Sequence, residues 1–63
     1  MPWRIIQTTD DQHIGTVLDY VEKGQIVTFD DGDVVSVNQT FLSEDGQSMV
    51  ACGVNYQMTL VQE

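Results

Sequence analysis

His13 and Cys52 are the only imidazole and the only thiol in this 63-residue sequence. Together they are the one base-and-nucleophile pair it could assemble. Nucleophilic catalysis needs such a pair within hydrogen-bond reach, with a third group orienting the base. Cys52 lies in the apolar run MVACGV, a setting for a buried, inert thiol. His13 follows TDDQ and reads as an exposed strand-edge residue. Ser36, Ser43 and Ser48 have no second histidine to serve them. No catalytic set is expected. One Cys and one His also rule out an internal disulfide and a zinc site of the usual Cys/His composition, so neither a structural metal nor another cofactor is expected.

Carboxylates are the other reactive groups. They come in pairs at Asp10-Asp11, Asp30-Asp31 and Glu44-Asp45, with Asp33 close behind the second pair. General acid–base work needs two carboxyls in a cleft that pushes their pKa values apart. All three pairs fall in turn-like sequence, where water keeps them ordinary. The bend Asp30-Asp31-Gly32-Asp33 offers enough oxygens to interest a hard cation, but its spacing departs from the Asp-x-Asp-x-Asp-Gly loop of calcium sites. A solvated turn is the expected reading, and a docking point for the Lys or Arg of a partner the sharper one.

Charge narrows the choice of partner. Two basic residues, Arg4 and Lys23, stand against ten acidic ones, for a net charge of -8. A nucleic-acid binder replaces condensed counterions with Lys and Arg, and two of them replace few. An anionic membrane surface is disfavoured for the same reason. Acidity of this size serves solubility, or presents a surface to a basic partner. No apolar run is long enough to span a membrane, and MPWRIIQTTDD lacks the pattern of a signal peptide. With a free thiol, the expected compartment is the cytoplasm.

The elements that position these groups read as strands. Apolar residues sit in short β-branched runs separated by Gly, Asp, Asn and Ser, with no helical spacing over any long window. Strands are expected at residues 3–8, 13–21, 25–29, 33–37, 49–52 and 56–61. Gly15 inside the second marks a bulge or bend. Residues 22–25, EKGQ, form a tight turn with a left-handed Gly24. Asp31-Gly32 fits a two-residue hairpin loop with positive φ at both positions, which would set Asp30 and Asp33 facing each other. Residues 38–42, NQTFL, are an extended or single-turn link, and 43–48, SEDGQS, another turn. The expectation is one all-β domain over residues 1–63, a small antiparallel barrel or strongly bent sheet of five or six strands. Its core should draw on Ile5, Ile14, Leu18, Val27, Phe29, Val35, Val37, Val50 and Leu60.

Residues 15–37, GTVLDYVEKGQIVTFDDGDVVSV, resemble the central hairpins of Tudor-like and other Src-homology-3-like barrels. Val27, Phe29, Asp30, Gly32 and Val37 fit the pattern of a V-x-F strand, an Asp-led turn and a strand ending in Val. The resemblance implies a Src-homology-3-like barrel. It also implies a place for a methylated Lys or Arg in an aromatic cage. Tyr20 stands near one cage position, and Asp31 occupies the turn position where those domains often carry a Tyr.

Two functional classes follow. The first is a non-catalytic protein–protein interaction module. Trp3, Tyr20, Asp30, Asp31 and Asp33 are its candidate binding residues. Trp3 either closes one end of the barrel or lies exposed as an anchor. The apolar C-terminal run MTLVQE reads as an edge strand that invites a homodimer, unless it closes the monomer's own barrel. The second class is an acidic mimic of nucleic acid that blocks a basic groove. One continuous acidic stripe would mark the mimic, and acids scattered over the turns the module.

Overall fold

The structure, a computed structural model, describes residues 1–63. It is all-β, with seven strands: β1 (Trp3–Thr8), β2 (Val17–Leu18), β3 (Ile26–Thr28), β4 (Val34–Ser36), β5 (Gln39–Leu42), β6 (Ser48–Gly53) and β7 (Tyr56–Gln62). Five of them form one antiparallel sheet in the order β2-β1-β7-β6-β5, and β3 and β4 form a separate hairpin.

The core lies between these two layers. The sheet contributes Trp3, Ile5, Met49, Ala51, Met58 and Leu60, and the hairpin contributes Val27, Phe29, Val35 and Val37. Alternation decides which residues enter. Cross-strand partners share a face. The row Met49–Leu60–Ile5 therefore points to one side of the sheet, and those residues are 7%, 0% and 0% exposed. The row Phe41–Val50–Thr59 points to the other side, away from the hairpin. Val50, expected in the core, belongs to this outer row. Its neighbours Met49 and Ala51 take the inward positions. Trp3 faces inward too, 7% exposed.

The sheet is not closed into a barrel. Closure needs a ladder joining the hairpin to the sheet edges, and β2 is only two residues long. The second strand was expected to run over residues 13–21. It is cut short because Asp11, His13 and Gly15 all adopt positive φ, of 59°, 67° and 96°. Such backbone leaves the β region and turns the chain. Ile14, between two of these residues, is 52% exposed rather than in the core. The C-terminal run does not form an edge: β7 sits at the centre of the sheet, between β1 and β6. The free edge is instead β5, part of the segment expected to be only a link.

The bend after β3 also differs from the expected two-residue loop. Gly32 N–H donates to the Phe29 carbonyl at 3.0 Å, and Phe29 N–H donates to the Asp33 carbonyl at 2.8 Å. Gly32 has φ 92° and Asp31 is not among the positive-φ residues. This is a three-residue loop, a type I turn followed by a left-handed glycine. Phe29, not Asp30, therefore stands opposite Asp33. The turn at Gly24 forms as expected, with φ 89° and a Gln25 N–H to Glu22 carbonyl bond of 3.2 Å.

Candidate functional site

Two places in this fold gather groups that could meet a ligand. The first is the Asp-rich bend. The three-residue loop turns the Asp31 carboxylate back on its own chain, where Oδ1 accepts the Asp33 N–H at 2.9 Å. Across from it, the irregular β1–β2 loop delivers His13. The imidazole stacks face to face on Phe29, with ring centroids 3.8 Å apart and planes 8° from parallel. Its side chain is 8% exposed. His13 is thus a fixed, buried ring and not an exposed strand-edge residue. Nothing in TDDQ announced this, because the burial comes from Phe29, which is distant in sequence.

The ring brings its nitrogens to two carboxylates. Nε2 lies 2.9 Å from Asp33 Oδ2, and Nδ1 lies 3.7 Å from Asp31 Oδ2. Both aspartates keep half or more of their side chains in solvent. Beside them is a cleft of about 460 Å³ between β2 and β3, lined by His13, Thr16, Val17, Leu18, Thr28, Phe29, Asp30 and Asp31. Asp30 and Asp31 thus share this cleft. Trp3 and Tyr20 do not line it. Tyr20 is 57% exposed and tied to the turn through its carbonyl, which accepts Gln25 Nε2 at 3.1 Å. No aromatic cage is assembled at the bend, since the one benzene ring there, Phe29, is 5% exposed and capped by His13. The cleft does not include Cys52 either. The thiol is half-buried on β6, between Gln39 and Gln57 in the ladder.

Next to this loop, Thr8, Asp10 and Tyr56 form a second polar knot. The Thr8 hydroxyl donates to the Gln12 carbonyl at 2.7 Å, and the Tyr56 hydroxyl donates to Asp10 Oδ1 at 3.2 Å. The Gln12 N–H, helped by the Tyr56 hydroxyl, holds the Asp10 carboxyl below its ordinary value. Burial raises the Tyr56 hydroxyl, and the charges of Asp10 and Asp33 raise it further. These bonds fix the loop that carries His13.

The second place is the sheet's outer face and its β5 edge. Phe41 and Leu42 are 58% and 62% exposed. They line an apolar groove of about 270 Å³ with Ser43, Ser48, Met49, Val50 and Thr59, all uncharged. Across the outer rows the only charge is Arg4, which lies 3.8 Å from Glu63. The ten acids all lie outside the strands, in turns, bends and loops. Asp10 and Asp11 sit at the end of the sheet where β1 finishes, and Glu44 and Asp45 at the opposite end, between β5 and β6.

The backbone of β5 is half used. The Ser43 N–H donates to the Ser48 carbonyl at 2.9 Å, which makes that pair a hydrogen-bonded one. Antiparallel pairs alternate, so Phe41 and Gln39 also turn their backbone groups to β6. Thr40 and Leu42 then point theirs out at the free edge. No protein-family model, curated protein or solved structure matches the chain.

Proposed function

We propose that the chain is a non-catalytic interaction module that binds protein by strand addition at β5, and that its partner is a second copy of itself. The observation that carries this reading is Leu42. Its side chain shares the inward face with Met49, Leu60 and Ile5. Those three are buried, whereas Leu42 is 62% exposed. The core row runs off the edge of the sheet uncovered. Proteins usually blunt an edge with charge, proline or a bulge. The β5 sequence, Gln-Thr-Phe-Leu, carries no charge and no proline, and it pairs with β6 in unbroken register.

A second β5 fits this edge with two-fold symmetry. With the axis at Phe41, Thr40 of each copy lies opposite Leu42 of the other. Each such pair exchanges both of its free backbone bonds, about four in all. The two Phe41 side chains meet on the outer face and the two Leu42 side chains continue the core row. In the same register Glu44 falls opposite Asn38 of the second copy, so two chains of net charge -8 bring no acids face to face along the ladder. The acids support the same reading, since they occupy turns at both ends of the sheet rather than one stripe shaped to fill a basic groove.

Sedimentation from micromolar to millimolar concentration tests it. The mass of the natural chain should rise from 7.1 kDa toward twice that value. Phe41→Lys should hold it at the monomer, because the axis would bring two like charges together. Phe41 is exposed, so the monomer's own stability should change by no more than about 0.5 kcal/mol. A natural chain that stays at monomer mass throughout would refute the reading.

A further inference from the structure

We propose that His13, Asp31 and Asp33 form a binding site for a divalent first-row transition cation, one that accepts both imidazole and carboxylate. One donor atom from each of the three lies within 4.8 Å of the others. The separation of His13 Nε2 and Asp33 Oδ2 is 2.9 Å. Two ligands with bonds of about 2.1 Å, set at right angles on one ion, stand roughly 3.0 Å apart. The pair is already at that spacing.

The imidazole sets this cluster apart from a solvated group of carboxylates, because it adds a nitrogen donor held in place by its stack on Phe29. A neutral ring has one N–H and one bare lone pair. Here both nitrogens face carboxylates, and only Nε2 makes a hydrogen bond. Nδ1 is left with an acceptor, Asp31 Oδ2, at 3.7 Å and no hydrogen-bond partner. The side chain is more than nine-tenths buried and stacked on Phe29, so the ring cannot swing away to water. A cation held between the ring and the two carboxylates would neutralise part of the acidic bend.

The donor set selects the ion. Calcium and magnesium take oxygen alone, an imidazole nitrogen suits nickel, zinc and the neighbouring cobalt, and the two carboxylates beside it also admit manganese. Both aspartates are half open to solvent, which leaves coordination positions for water. The site lies on the opposite layer contact from β5. It would fasten the β1–β2 loop to the β3–β4 bend, so it stands or falls independently of self-association.

Titration calorimetry with cobalt, nickel, zinc and manganese chlorides, and with calcium and magnesium as controls, reads it directly. The transition cations should bind one per chain and raise the melting temperature, while calcium and magnesium should not. Asp33→Asn keeps an exposed side chain of the same shape and should weaken binding at least ten-fold, since even an outer partner of a ligand is worth that much. His13→Phe keeps the stack on Phe29 and removes both nitrogens, and it should abolish binding. The His13 ring signals of the natural chain should shift on addition of diamagnetic zinc. Binding that survives both substitutions, or that is equal for calcium, would assign the ion to the carboxylates at large and overturn the proposal. So would no heat and no shift of the ring signals with any of the four.

Discussion

At Gly53 the sheet passes close to β4 of the hairpin, and replacing it with alanine gives a graded test of the packing. A Cβ there would lie 2.7 Å from the Ser36 carbonyl oxygen and 3.3 Å from Val35 Cγ1. The first neighbour is backbone of β4 and cannot rotate aside. Either β4 retreats or β6 bends, and overpacking of this kind costs about 1–3 kcal/mol. Against it, an alanine restricts the unfolded chain and returns about 0.4–1 kcal/mol. Because the clash is with fixed backbone, the cost falls in the upper part of its range, and the net loss is about 1–2 kcal/mol. A domain of this size loses about 4–8 °C for each kcal/mol, so the melting temperature should fall by roughly 5–15 °C. Thermal denaturation followed by circular dichroism at low concentration measures this. Amide spectra should place the largest shifts at Val35 and Ser36. A melting temperature unchanged within about 2 °C would refute the close approach of β4 to β6.

Three further outcomes follow from the same structure. Leu60→Ala removes a side chain that is 0% exposed at the centre of the sheet and should cost about 2–5 kcal/mol in denaturant unfolding. A chain of 63 residues holds only about 3–9 kcal/mol in total, so a large part of its stability would go. Ile14→Ala, at a side chain 52% exposed, should by contrast stay within about 0.5 kcal/mol of the natural chain. The third concerns acid. The Ser43 hydroxyl and then the Gln47 N–H hold the Asp45 carboxyl below its ordinary value of 3.8. A carboxyl lowered in the folded state stabilises when ionised, so its contribution is full above that value and disappears as pH falls through the folded pKa. Asp45→Asn should therefore leave a shallower loss of stability below about pH 4, measured by melting over a pH series.

The all-β class and five of the six expected strands were legible because alternating β-branched runs and glycine turns are local signals. Phe29 and Val27 could be placed in the core for that reason. The errors arose where one residue's backbone changes everything after it. His13 and Gly15, both left-handed, break the second strand and expel Ile14. At β6 a shift of one position exchanged Val50 for Met49 and Ala51, since a period of two has no tolerance for slippage. Whether an apolar run lies at an edge or at the centre is not local at all. Met58 and Leu60 would read alike in either place, and only the pairing of β7 with both β1 and β6 decides it. The bend at Asp31 was recognised as a concentration of carboxylates. Its imidazole partner was not, because the stack that holds His13 joins two loops that lie apart in the sequence.

The exposed edge of β5 is tested most directly by amide hydrogen exchange at Thr40 and Leu42. Their N–H groups point away from β6, so a lone chain leaves them to water. If the module pairs with a second copy at β5, their exchange should slow progressively from micromolar to millimolar concentration, while Phe41, already bonded to β6, changes little. Exchange at Thr40 and Leu42 that stays fast and independent of concentration would contradict it.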